Sequence, residues 1–255
     1  MTQDIRRASV VALAERDAKE AKRSLQEKPV RTRPEIGATG LEVFGGIITG
    51  DLAEHNTAWR DKTLYTTVDR MRRGDAPVAA TWLSIVLPIL ATDVHIEAKA
   101  GPKAEKPDPI VEEAAAMVHE NLFGDEAFLN RPWQSLMREK LLYLAYGHYL
   151  FEKVWGEVDR GEFAGSIGLR KLAPRHPSTI EQWNFDRTGE LTQVVQRAAP
   201  KYEDVPMSTK DLAIFTNQSE AGNPLGISIF RPAYKHWKYK DGFYAVQAIA
   251  IERQG

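Results

Sequence analysis

The sequence predicts an α+β fold: a helical N-terminal half, then antiparallel strands, then one long helix that ends the chain. Three observations predict it. Apolar residues recur at helical spacing through much of 52–146, the period falls to two from Gly147, and it returns to a helical one from Phe230 onward. Three segments follow: a charged N-terminal arm over 1–36, an α+β body over 37–218, and a turn with a long helix over 219–255.

With 255 residues, 43% hydrophobic and 27% charged, the chain can bury a sizeable core. A net charge of -1 argues against a protein that coats nucleic acid or anionic membrane wholesale. It leaves room for local basic stripes and for a channel that merely surrounds DNA. The absence of cysteine excludes disulfides, thiolate zinc sites and cysteine nucleophiles. Charged residues such as Arg6, Arg7, Glu15, Arg16 and Asp17 interrupt any apolar core of a signal peptide. The most apolar run, Ala79 to Ala91, contains Pro88 and falls short of the roughly 20 residues of a membrane span. A soluble, intracellular protein is expected.

The arm is dense in both charge signs and nearly free of large apolar side chains, which predicts an extended, solvated segment. Gly37–Asp51 is a glycine-punctuated loop without the Gly-Lys-Ser/Thr ending of a phosphate cradle. A helix is predicted over Leu52–Arg73, capped by Asp51 and closed by Arg70, Arg72, Arg73 and Gly74. Ala76–Leu90 is an apolar helix with Pro77 in its first turn and Pro88 kinking or ending it.

The alternation of Val94, Ile96 and Ala98 with His95, Glu97 and Lys99 predicts a strand over Ala91–Ala100. A linker over Gly101–Pro109 leads to an amphipathic helix over Ile110–Leu122 with Ile110, Ala114, Met117 and Val118 inward. A further helix spans Trp133–Tyr146. Strands follow at His148–Trp155, Ile167–Leu172, Ser178–Phe185, Leu191–Arg197 and Asp211–Phe215, with a Gly-bearing hairpin turn at Asp186–Glu190.

The terminal helix is expected from about Ile227 to Arg253, roughly 40 Å at 1.5 Å per residue, with Pro232 close to its start or kinking it. Phe230, Tyr234, Trp237, Asp241, Tyr244, Ala248 and Ile251 fall on one stripe. Its aromatic and apolar members are expected to pack on the body or on a neighbouring chain. Arg231, Lys235 and Lys238 form a second, basic stripe beside it. That stripe faces DNA or a neighbour's acids on one reading, and solvent on the plainer one. A small domain has little reason to end on so long a rod, so the rod is read as part of something larger.

Catalytic motifs are thin. None of the six histidines lies three to five residues from another, so zinc-ligand spacing is missing. His119-Glu120 begins like a helical metalloprotease motif, but Phe123 stands where the second histidine belongs. Gly226-Ile227-Ser228 lacks the second glycine of a serine elbow. No catalytic residue, cofactor or metal is expected.

From Leu142 onward the order of features carries a resemblance. The run Leu142-Tyr143-Leu144-Ala145-Tyr146-Gly147-His148 to Glu152-Lys153-Val154-Trp155 resembles the helix, glycine and strand ending in Glu-x-x-Trp of phage portal proteins. Leu172-Ala173-Pro174-Arg175-His176-Pro177 is similar to their strand-to-turn element. Trp183-Asn184-Phe185-Asp186 with Gly189 and Leu191 is similar to the hairpin behind it. Gly222-Asn223-Pro224-Leu225-Gly226, Arg231, Tyr234, Trp237 and Lys240, with Glu252 and Gly255, resemble the segment that enters a long helix in the Mu-like branch.

The resemblance implies a portal wing over the body and a stem helix at the end. It also implies a homo-oligomeric ring, a dodecamer in most members, at one capsid vertex of the virion, assembled in the host cytoplasm. Such a ring passes double-stranded DNA in packaging and ejection. It meets the major capsid protein, the terminase and the head-tail adaptor, and it catalyses nothing. Clip, second stem helix, channel loop and crown have no counterpart in this sequence. The alternatives from other classes are a nuclease-like DNA-processing enzyme built on scattered carboxylates and a monomeric adaptor that docks through its C-terminal helix.

Overall fold

A computed structural model describes residues 43–44, 47–48, 54–101, 106–124, 128–186, 189–220 and 222–254. The arm over 1–36 and the expected Asp51 cap lie outside these residues. Within the stretch read as a glycine loop, β1 (Val43–Phe44) and β2 (Ile47–Ile48) pair antiparallel.

The helix expected from Leu52 begins at Thr63 instead (α1, Thr63–Gly74). Ahead of it Thr57–Trp59 makes one tight 3-10 turn, whose Asn56 side chain accepts from the Ala58 N–H at 3.0 Å. Such local bonding competes with helix, and Asp61, with φ at 49°, breaks any continuous run. The last turn of α1 carries Arg72 and Arg73, as expected, where the dipole favours cations. Asp75 then caps α2 (Ala76–Leu90), accepting from the Val78 N–H at 3.1 Å, with Pro77 in the first turn. Pro88 sits inside α2, which ends two residues later.

The strand expected over 91–100 does not form. Alternation makes a strand only where a ladder partner exists, and among the described residues none pairs with this segment. In α3 (Pro109–Phe123) the expected inward set is also overturned. Ile110 is 75% exposed, Ala114 and Val118 are exposed, and Met117 is half-buried. The helix docks near its C-terminal end, where the Asn121 side-chain amide donates to the Leu169 carbonyl at 3.2 Å and accepts from its N–H at 2.9 Å. The single helix expected over Trp133–Tyr146 breaks at Leu141 into α4 (Trp133–Lys140) and α5 (Leu142–Tyr146).

Two three-stranded antiparallel sheets follow. One has β3 (His148–Glu157) between β4 (Ile167–Arg175) and β8 (Leu212–Thr216); the other has β6 (Leu191–Arg197) between β5 (Ile180–Phe185) and β7 (Asp204–Ser208). Strand β7 was not among the expected elements. Pro206 pairs opposite Val195 on an edge strand, where a missing donor is tolerated.

Alternation along β3 divides the core. Tyr149 and Phe151 join a cluster with Val68, Met71, Trp82, Leu136 and Ala145. Leu150 joins a second cluster with Trp183, Val194, Met207 and Leu212. Each fully buried large side chain stabilises the fold by about 1.5–3 kcal/mol relative to exposure.

The terminal helix α6 runs from Tyr234 to Gln254, about 32 Å at 1.5 Å per residue. Its expected start at Ile227 is overturned, because Ile227 and Ser228 are irregular and Ile229–Ala233 forms turns. The Ser228 hydroxyl donates to the Ala145 carbonyl and accepts from the Phe230 N–H, which fixes a turn that a helix cannot share. Phe230 and Arg231 therefore precede the helix rather than belong to its stripes.

Candidate functional site

The segments quoted above from Leu142 and from Gly222 meet at one junction. Asn217 stitches them: its N–H donates to the Gly147 carbonyl at 2.8 Å, and its side-chain amide donates to the Ile227 carbonyl at 2.7 Å. The Ile229 N–H donates to the Leu144 carbonyl at 3.0 Å. Gly147 and Gly226 both lie at positive φ, 92° and 57°, and their backbones touch. A Cβ on Gly226 would stand 2.4 Å from the carbonyl oxygens of both Asn217 and Gly147. Only glycine fits there.

From this junction the base of α6 is clamped to the body. Arg231 grips Glu54 with two nitrogens, at 2.6 and 2.7 Å, and its guanidinium lies over the Trp59 ring at 5.6 Å. The hydrogen bond from Arg231 holds the Glu54 carboxyl below its ordinary range. Phe230 and Tyr234 are buried, Phe230 against the Trp82 ring and Tyr234 edge-on to Trp59. Trp237 is half-buried under the Arg70 guanidinium at 5.8 Å. One helical turn on, Lys240 pairs with Asp75, whose other oxygen caps α2. The Lys240 contact holds the Asp75 carboxyl below its ordinary range.

Arg231 is thus separated from Lys235 and Lys238, which are exposed. Those two lysines line a groove of about 710 Å³ between α6 and the His55–Asn56 segment. Lys238 lies over the Tyr234 ring at 5.9 Å. Tyr244 lines a second groove, of about 1060 Å³, between α6 and α1, together with Arg70, Arg73 and His176.

Beyond Lys240 the helix has no cover. Every described residue from Asp241 to Gln254 is exposed, and Phe243, Tyr244, Val246, Ile249 and Ile251 are between 49% and 70% exposed. At 100° per residue, these positions with Ala245, Ala248 and Ala250 surround the axis rather than form a stripe. A helix apolar all round is one that folded proteins bury rather than leave in solvent.

The buried titratable groups cluster where α1, α4, α5, β3 and the turn at His176 meet. Nδ1 of His148 donates to the Leu225 carbonyl at 3.0 Å, leaving Nε2 to accept from the Tyr65 hydroxyl at 3.4 Å. Burial lowers His148 to a pKa of about 4 and also lowers His176. Tyr146 donates to Asp69 at 2.8 Å, and Tyr149 donates to Glu139 at 2.9 Å. Burial pushes Tyr146 up to about 12 and raises Tyr149 and Tyr65 as well. These hydroxyls stay protonated and serve as donors. Among the described residues no His, Asp or Glu group is arranged to hold a metal ion, and no helix is long and apolar enough to cross a membrane.

Glu54, Asp75 and Asn217 were not reached from the sequence. An aspartate before Ala-Pro is an N-cap signal and could have placed Asp75. Nothing local marks Glu54 or Asn217, whose partners Arg231 and Gly147 lie far away in the chain.

The family model described as portal protein of Mu bacteriophage matches residues 65–255. No curated protein matches the chain.

Proposed function

The chain belongs to the family of Mu bacteriophage portal proteins, and from that membership we propose that it forms the portal ring at one capsid vertex. The ring conducts double-stranded DNA in packaging and ejection. The family is a structural one, and a general portal role follows from membership. Finer parts of the reading are the dodecameric count, the place of the ring in the virion after assembly in the host cytoplasm, and docking of the major capsid protein, terminase and head-tail adaptor.

The observation that carries the ring is the uncovered distal part of α6, apolar on every side and held out from a firmly clamped base. In this reading residues 37–218 form the wing-like body and 219–255 the turn and stem. Lys235 and Lys238 are the exposed cations that meet DNA or a neighbour's acids, whereas Arg231 is spent on Glu54. A conduit favours few such charges, because each neutralised phosphate strengthens binding and would slow passage.

The test compares two charge-reversed pairs in DNA packaging and in ring assembly seen by electron microscopy. Lys235→Glu with Lys238→Glu is expected to impair packaging or assembly at least tenfold more than Lys19→Glu with Lys22→Glu. Equal effects would remove the two lysines from the reading. A chain that stays monomeric and cleaves DNA with a metal ion would remove the ring itself.

A further inference from the structure

Residues 93–100 have the alternation of a strand and none of its bonds. Among the described residues no hydrogen bond, of backbone or side chain, reaches any of them. Val94, His95, Glu97 and Lys99 are exposed, while Ile96 and Ala98 are half-buried. Those two line a groove of about 480 Å³, whose other walls are α3 and the tip of the β3–β4 hairpin. An alternating segment with open amides is a template for pairing with another chain.

The rest of the lining says which chain fits. Glu112 and Glu120 of α3 and Glu162 of the hairpin tip stand on the groove, none of them in an ion pair with a described residue. No lysine or arginine lines it. These carboxylates are not arranged to hold a metal ion, so the countercharge they call for is one spread along a chain. Side chains two apart on a strand share a face, so cations at alternate positions of an added strand all turn toward the acids.

We propose that a partner protein adds an extended segment, with lysine or arginine at alternate positions, as a strand along Val94–Ala98, its cations meeting Glu112, Glu120 and Glu162. In such pairing the main-chain bonds supply affinity and the alternate side chains supply specificity. A partner is favoured over a second copy, because no strand among the described residues carries cations at alternate positions. The inference is independent of the ring reading.

The probe is a short labelled peptide of alternating valine and arginine, added to the whole chain. It is expected to bind in fluorescence anisotropy and to slow hydrogen exchange at alternate amides of Val94–Ala98, since neighbouring amides of a strand point to opposite edges. A peptide of the same composition with its arginines in one block is expected to bind about tenfold more weakly. Glu112→Gln, Glu120→Gln and Glu162→Gln together are expected to weaken the alternating peptide about tenfold, with circular dichroism unchanged.

Equal binding of the two peptides, or binding without slower exchange at these amides, overturns the added strand. No binding overturns it as well. Slower exchange that appears when the protein alone is concentrated places a second copy there and overturns the partner.

Discussion

His148 and the glycine pair beside it are fixed by neighbours that belong to other elements. His148 is neutral because burial removes the water that would solvate its charge, an effect that outweighs the opposing hydrogen bond to the Leu225 carbonyl. An unfolded histidine takes up a proton near pH 6.5, whereas folded His148 does so only near 4. The unfolded state therefore binds more protons in that interval, and stability is lost as pH falls from about 6.5 to about 4. His176, also lowered by burial, adds in the same sense. Glu54 and Asp75 extend the loss to lower pH, because their lowered carboxyls stabilise the fold above the ordinary carboxylate range and cease to do so as they protonate.

The expected result is a melting temperature that drops from pH 6.5 to 4.5, with the His148 ring resonances showing no titration above pH 5. A ring that titrates near pH 6.5 would contradict the closed site. For the glycines, Gly226→Ala is expected to destabilise by roughly 2–4 kcal/mol, since the new methyl must displace two backbone carbonyls. Urea unfolding measures it.

Among the elements, period and punctuation were legible wherever one segment decides its own structure. Pro77 in the first turn places α2, and the turn at Asp186–Glu190 places the β5–β6 hairpin. Failures came where the decisive partner lies elsewhere. Among the described residues the alternation over 91–100 has no strand to pair with, the positions of α3 expected inward are exposed or half-buried, and α6 starts late because Ser228 is held by Ala145. In the candidate site, the aromatic residues at the base of α6 were readable from spacing, but the Arg231–Glu54 grip was not. It joins positions 177 residues apart. Asp75→Ala removes the α2 cap and the Lys240 pair together. We expect a loss of about 1–2 kcal/mol from the cap alone, and faster hydrogen exchange at the Lys238–Asp241 amides. Unchanged exchange there would show that the pair does not hold α6.

At the scale of the whole molecule, stability and assembly reside in different parts of the chain. The two core clusters lie in the body and the base of α6, and none of their buried residues lies beyond Tyr234. Ending the chain after Asp241 is therefore expected to shift the monomer's melting midpoint by less than about 2 °C, since no buried contact is lost. The same truncation is expected to abolish higher oligomers in analytical ultracentrifugation. A large loss of stability would show that the distal helix supports the body after all.

The shared carboxylate of Asp75 has a mechanical consequence. One of its oxygens holds the first turn of α2 and the other holds Lys240. Force applied along the projecting end of α6 meets this joint before it reaches Tyr234 in the core, with the Glu54 grip behind it. The rod is a lever pinned at two points, and a pull on its tip is delivered to the start of α2 as strain on a single side chain.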